Sequence, residues 1–225
     1  MKPILEIIAC SVEDAVEAEA GGAGRLEVID RFHLGGITPA IDLVEKIAAK
    51  VSIPMRVMLR ESENYNVSLP EEIDRLKNAA KAFENIGVDG VVLGFLKGTV
   101  VDLELTNVVL DPAPNIKATF HHAFEETEDK AAAIETIKRL PQVDRILSHG
   151  GIGKWHEKYR LVDAHARFAR PEIEIIAGGG VDGEAIRFLR EATTINEFHA
   201  GTAARTDGKV DRVRVRELVL ALGEN

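Results

Sequence analysis

The sequence predicts an α/β protein, a single-domain (β/α)8 TIM barrel over residues 1–225, and three observations carry this prediction. Short β-branched runs alternate with longer amphipathic segments, a pattern typical of βα units in a parallel sheet. Eight such units can be counted, and the chain length of 225 residues is common for one barrel domain. The strands are predicted at residues 4–9, 25–29, 54–60, 90–94, 116–121, 143–148, 173–178 and 196–199. An open doubly wound sheet is the alternative architecture.

The segments that follow these strands begin with residues typical of helix starts. A small side chain that can accept a hydrogen bond from the first turn is expected before three helices, at Ser11, Thr38 and Asp182. Residues 61–69 form the longest polar connection after a strand, which predicts either a lid over the site or a solvated surface loop.

Composition narrows the class of protein and its partners. A net charge of -9 argues against general nucleic-acid binding, which rewards clusters of Lys and Arg. No run approaches the roughly 20 apolar residues of a membrane span, and the first residues lack the features of a signal peptide. We therefore expect a soluble, cytoplasmic protein with no membrane partner. Cys10 is the only cysteine, which excludes an internal disulfide and a multi-cysteine zinc site.

Charged residues inside the predicted strands indicate a polar barrel interior. Side chains that face outward from a closed barrel pack against helices and must be apolar, so charges should point inward with a period of two. By this parity Glu6 and Glu27 face the interior beside Arg56, and we expect them to form an ion network. The network either fills the barrel or belongs to the functional site.

Three other polar residues end their strands on the carboxyl side, where barrel enzymes place their chemistry. They are Arg60, His121 and His199, with His121 predicted inward and His122 leaning toward the loop. Histidine suits proton transfer and metal binding. The sequence offers four residues that could together hold a divalent metal, although no motif fixes their geometry and the metal stays unknown: Glu6, Glu27, His121 and His199.

Glycine-rich turns follow the last two strands. Gly178, Gly179 and Gly180 come after the seventh strand, and Gly201 and Thr202 come after the eighth. Glycines let backbone N–H groups approach an anion, and a helix starting near Thr202 would point its positive end at the same place. These turns predict an anion-binding site, with simple tight turns as the alternative.

Short motifs run in a fixed order through nearly the whole chain: Leu5-Glu6-Ile7, Arg25-Leu26-Glu27-Val28, Gly35-Gly36-Ile37-Thr38-Pro39, Met58-Leu59-Arg60, Thr119-Phe120-His121, Ala177-Gly178-Gly179-Gly180-Val181 and Glu197-Phe198-His199. Together they resemble the copper homeostasis protein CutC family. The resemblance implies a (β/α)8 barrel, often dimeric, and intracellular copper handling with cysteine ligands for Cu(I).

The chain departs from this family in its sulfur ligands. The family's typical cysteines after the Leu-Glu-Ile segment correspond to Ile8 and Ala9, and Cys10 is displaced by one place. Soft Cu(I) prefers thiolate or thioether ligands, so copper(I) as a bound ion is implied by the resemblance alone.

Three functions are compatible with these residues. The first is copper handling of the CutC type. The second is an enzyme, either isomerase, lyase or hydrolase, that acts on a small phosphorylated or carboxylated metabolite. In that enzyme Arg60 would bind the substrate, and His121 would move a proton with Glu27 or Glu6. The third is a non-catalytic scaffold or dimeric binding module. The expected partners are a small-molecule or anion ligand and a second copy in a homodimer.

Overall fold

The computed structural model describes residues 2–223 and contains a closed barrel of eight parallel strands in that range. Neighbouring barrel strands follow chain order, and the eighth pairs with the first. We number the strands β1 Ile4–Ala9, β2 Arg25–Val28, β3 Met55–Met58, β4 Gly90–Leu93, β5 Lys117–Phe120, β6 Val143–Ser148, β7 Glu174–Ala177 and β8 Glu197–Ala200. The predicted (β/α)8 fold is confirmed.

Eight α-helices surround the barrel in the described range. They are α1 Val12–Gly21, α2 Ile41–Ala48, α3 Pro70–Ile86, α4 Leu103–Leu110, α5 Lys130–Ile137, α6 Trp155–Ala169, α7 Gly183–Ala192 and α8 Arg212–Ala221. Two short hairpins interrupt the alternation, one pairing Leu96–Lys97 with Val100–Val101 and one pairing Arg205–Thr206 with Lys209–Val210. Between residues 2 and 223, no helix combines the length and apolar character needed to span a bilayer.

The main apolar core lies between the sheet and the helices. Outward residues of the strands, such as Leu5, Ile7 and Val57, are buried there against the inner faces of the helices. The residues of opposite parity include several buried charged side chains, such as Glu6, Glu27 and Arg56, and a small separate apolar cluster of Ile29, Met58 and Val92. The period of two in the sequence therefore separates an apolar layer from a polar interior.

Two of the three predicted helix starts are confirmed. The side chain of Ser11 accepts a hydrogen bond from the backbone N–H of Asp14, and Asp182 caps α7 in the same way. The prediction for Thr38 is wrong, because α2 begins at Ile41 without a side-chain cap. The Thr38 hydroxyl instead accepts from the backbone N–H of Arg60 at 2.8 Å and donates to its carbonyl oxygen. It thereby ties the loop before α2 to the end of β3.

The helix predicted to start near Thr202 is also absent. A three-residue 3-10 turn, Thr202–Ala204, is followed by the second hairpin, and α8 starts only at Arg212 with Asp211 as its cap. The positive helix end that the sequence predicts at the end of β8 is therefore not formed, because a single short turn has only a small dipole.

Candidate functional site

The carboxyl half of the barrel interior contains a buried carboxylate that joins three strands. Glu6 on β1 lies in register with His199 on β8 and with Arg25 on β2. One carboxylate oxygen bonds the Nδ1 atom of His199 at 2.8 Å, and the other accepts a hydrogen bond from the Nε atom of Arg25. Burial raises the pKa of Glu6, but the Arg25 charge and the His199 hydrogen bond outweigh it, so the pKa falls well below its usual range. Glu6 is therefore a fixed anion that orients the imidazole.

Glu27 on β2 is the third residue of this centre, beside Glu6 and His199, and its carboxylate is not held by a hydrogen bond from any described residue. Its Oε2 atom lies 3.7 Å from the Nε2 atom of His199, and within residues 2–223 it receives no hydrogen bond. Burial raises the pKa of Glu27 to about 7, and the neighbouring charge of Glu6 adds to this effect. Burial lowers the pKa of His199, but the two carboxylates raise it above its ordinary value. The pair can therefore share a proton near neutral pH.

These three side chains are arranged as a metal site would require. One ligand atom from each of Glu6, Glu27 and His199 lies within 4.8 Å of the other two. His121, which the sequence suggested as a fourth ligand, does not belong to this cluster. Imidazole and carboxylate donors can hold a divalent transition ion, and the Glu6 bond to Nδ1 directs the Nε2 atom of His199 toward it.

Arg56 lies in a different network from the one predicted for it. Its guanidinium bonds Asp144 at 2.7 and 3.0 Å and Asp89 at 3.1 Å, near the amino end of the barrel, and does not contact Glu6 or Glu27. The pairing of β5 with β6 shifts register between Ala118 and Thr119, which leaves Asp144 as an extra residue. Strict alternation does not anticipate such a shift, so this partner could not be predicted from the period of two.

Arg25 is the basic partner that the parity argument missed. It opens β2 and bridges Glu6 to Glu197, whose Oε2 atom it contacts at 2.7 Å. Arg145 on β6 contacts the same oxygen at 2.8 Å. The signal was available, since Arg25 shares parity with Glu27 in the same predicted strand.

His121 is buried as parity predicts, but away from the acid centre. β5 ends at Phe120, and the Nδ1 atom of His121 accepts a hydrogen bond from the backbone N–H of Ala123 at 3.2 Å. The ring packs 5.2 Å from that of Tyr65, in the irregular segment 61–69. Burial first and then the charge of Arg60 depress the pKa of His121 well below its usual range. His121 is therefore a neutral ring beneath this segment.

His122, not His121, lines the cavity at the mouth of the barrel. The cavity measures about 520 Å³ and its walls include His122 and His199. His122 lies in the 3-10 turn that directly follows β5, which turns it toward His149, with the ring centroids 5.6 Å apart. Burial lowers its pKa to about 3, with the charges of His199 and His149 adding to the effect. A period of two cannot predict the direction of a side chain beyond the end of a strand.

The predicted glycine turns border this cavity, apart from Gly178. Gly179 and Gly180 have φ angles of 81° and 70°, and together with Gly201 and Thr202 they line its wall. Gly178 lies deeper, where a Cβ atom would stand 2.6 Å from Leu147. In the described chain, the backbone N–H groups of Gly179 and Gly180 donate no hydrogen bond, so both are free for a ligand.

The fold and the site together define a class of protein. It is a TIM barrel with a buried acid–imidazole centre below a cavity at the carboxyl ends of its strands. This is the position at which the fold places ligands and reactive groups.

The chain belongs to the CutC family, whose model matches residues 3–204. A copper homeostasis protein cutC homolog from Mus musculus is 30% identical over 91% of this chain and 75% of its own length. A family protein CutC from Xanthomonas axonopodis pv. citri is 32% identical over 87% of this chain and 82% of its own. The crystal structure of the putative copper homeostasis protein CutC from Streptococcus agalactiae superposes with a TM-score of 0.81 at 24% identity, covering 89% of this chain and 98% of that one.

Proposed function

We propose that this chain is a copper homeostasis protein, as its CutC relatives are named, and that it binds copper as Cu(II) at Glu27 and His199. One observation carries the proposal. Glu27 is a buried carboxylate without a hydrogen bond, 3.7 Å from an imidazole nitrogen whose ring is oriented by Glu6. A cation between the Glu27 oxygen and the Nε2 atom of His199 would compensate the carboxylate.

The donor atoms favour Cu(II) over Cu(I). Nitrogen and oxygen donors bind divalent first-row ions with an affinity that peaks at Cu(II). Cys10, the only thiol, is not part of the cluster, and its Sγ atom lies 3.8 Å from the guanidinium of Arg205. Burial raises the pKa of Cys10, which disfavours the thiolate that Cu(I) requires. The residues present therefore fit Cu(II) and do not fit a cysteine-ligated Cu(I) site.

Titration with Cu(II) against a competing chelator tests this proposal. We expect one ion per chain, an affinity at least tenfold lower in Glu27→Gln, and no change in Cys10→Ser. His156→Asn is the matched control for adventitious binding, because its imidazole is 62% exposed and lies outside the centre. Equal affinity in Glu27→Gln and the unmodified protein, or loss of binding in Cys10→Ser, would contradict the proposed site.

An enzymatic role at the same centre is a second candidate, favoured by the proton that Glu27 and His199 can share beside the cavity. In this role His199 and Glu27 would transfer a proton, Glu6 would orient the imidazole, and the free N–H groups of the glycine turns would bind the anionic part of a metabolite. A thermal-shift screen of small acids and phosphate esters tests it. If no compound raises the melting temperature, this role loses its support.

We also propose that the protein is cytoplasmic and that it assembles into a homodimer. Sedimentation of the purified chain would measure its oligomeric state.

A further inference from the structure

Buried arginines in this barrel are compensated by carboxylates, with one exception. Arg25, 3% exposed, pairs with Glu6 and Glu197, and Arg56, 1% exposed, pairs with Asp89 and Asp144. Arg60 is 8% exposed, and no carboxylate between residues 2 and 223 lies within ion-pair distance of it. A largely buried cation without a counter-ion is costly, so the surroundings of Arg60 favour binding of an anion.

The hydrogen bonds of Arg60 leave one edge of its guanidinium open. The Nε atom donates to the carbonyl oxygen of Ser62 at 2.6 Å, and Nη1 makes a long contact of 3.4 Å with the carbonyl oxygen of Gly36. Nη2 has no partner in the described chain. The guanidinium carbon lies 4.9 Å from the centroid of the Tyr65 ring, within the range of a cation–π contact. The side chain is therefore fixed while its outer two nitrogens retain free donors.

Arg60 belongs to the same barrel mouth as the cavity. It follows β3 at the carboxyl end, and its charge lowers the pKa of His122 together with the larger effects of burial and of His199. His122 and His199 both line the cavity of about 520 Å³. Arg60 is not among the residues that line this cavity, so a ligand bound to Arg60 would lie on the β3 side of the mouth.

We infer that Arg60 binds the carboxylate group of a small organic acid at the barrel mouth. A planar carboxylate matches the two outer nitrogens of a guanidinium with two parallel hydrogen bonds. A phosphate can make the same two bonds, but its other oxygens would find no free donor at Gly35, Gly36 or Thr38. The N–H groups of Gly35 and Gly36 already donate to backbone oxygens, and the Thr38 hydroxyl is bonded to the backbone of Arg60. Free glycine N–H groups lie across the mouth, at Gly179 and Gly180.

The inference goes beyond copper binding and is tested without metal, in the presence of a chelator, so its failure leaves the Cu(II) site untouched. Calorimetric titrations use succinate and citrate as probes, with inorganic phosphate for comparison, all at constant ionic strength. We expect at least one of the two acids to bind, with affinity falling roughly tenfold or more in Arg60→Met. Arg60→Lys should bind more weakly than the unmodified protein, because it keeps the charge and loses the bidentate geometry. Arg31→Gln is the matched control, since Arg31 is an exposed arginine of the neighbouring loop paired with Asp30.

Unfolding by urea separates a ligand-binding role from a structural one. Without ligand, Arg60→Met should unfold at a urea midpoint equal to or above that of the unmodified protein, because it removes an uncompensated charge. Arg56→Met should unfold at a clearly lower midpoint, because it leaves two carboxylates unpaired. A lowered midpoint in Arg60→Met would overturn the inference. So would phosphate binding in preference to both acids, binding of neither acid at millimolar concentration, or equal affinity in Arg60→Met.

Discussion

The substitution Glu27→Gln should stabilise the metal-free protein at alkaline pH. Glutamine has the volume of the protonated acid and removes the charge that burial disfavours. The pKa of Glu27 is raised from an ordinary 4.5 to about 7 by burial, a difference worth about 3 kcal/mol in favour of the neutral form. Above pH 7 the unmodified protein holds Glu27 as an anion at that cost, whereas the glutamine variant does not.

The sign of the pH dependence follows from proton binding in the two states. Between pH 4.5 and about 7 the folded chain keeps a proton on Glu27 that the unfolded chain has lost. The free energy of unfolding therefore falls as the pH rises through this window, and the loss is complete above it. The raised pKa of His199 acts in the same direction, since its stabilising charge is lost as the pH rises through the folded-state pKa. The unmodified protein should be more stable at pH 5 than at pH 8 through both groups.

Urea unfolding at pH 5 and pH 8 in the presence of a chelator measures the effect. We expect Glu27→Gln to match the unmodified protein within about 1 kcal/mol at pH 5 and to exceed it by about 3 kcal/mol at pH 8. Glu63→Gln is the control, because it makes the same change of charge at an exposed position. If Glu27→Gln is no more stable than the unmodified protein at pH 8, Glu27 does not carry an uncompensated charge and the metal-site argument loses its basis.

Three other substitutions test the packing and charge arrangement by urea unfolding at pH 7. Arg56→Met should lower the free energy of unfolding by about 3 kcal/mol, because the carboxylates that Arg56 pairs with lose their partner. A decrease under about 1 kcal/mol would contradict this. Gly21→Ala should lower the free energy of unfolding by about 1–3 kcal/mol, since the added Cβ atom would stand 2.5 Å from the Cβ of Val215 on α8. A higher free energy of unfolding, as the greater helix propensity of alanine alone would produce, would refute the close packing. The double substitution Glu27→Gln with Arg60→Met should be additive within about 0.5 kcal/mol, because the two groups do not contact; a larger coupling energy would mean that they interact.

The barrel and the inward direction of most charged residues could be predicted from the sequence. Both depend on short-range regularities, the alternation of strands with helices and the period of two within a strand. The predicted bounds of β1 and β6 agree with the structure, whereas several other strands were predicted to extend one or two residues too far. At those ends the chain leaves the hydrogen-bonded ladder although its composition is still that of a strand.

The partners of the inward residues could not be predicted in the same way. Parity gives the face of a strand but neither the height of a side chain in the barrel nor the direction of a long one. Parity predicts Arg56 in one network with Glu6 and Glu27, whereas its guanidinium bonds Asp144 at the register shift. Parity predicts His122 toward the loop, because His121 takes the inward direction. The 3-10 turn after β5 instead directs His122 into the cavity, and this turn is not encoded in the strand period.

Charge compensation separates two kinds of charged residue in the barrel interior. Arg25 and Arg56 are each paired with two carboxylates, so neither requires a ligand to compensate its charge. Toward the carboxyl end, Glu27 on β2 and Arg60, which follows β3, have side chains of opposite charge and yet do not pair. Arg60 comes four residues after Arg56, the register partner of Glu27, which is about 13 Å along an extended chain, and the buried Met58 lies between Arg56 and Arg60 in sequence. Folding thus leaves two charges that cannot neutralise each other, and a cation at one and a carboxylate at the other would compensate both.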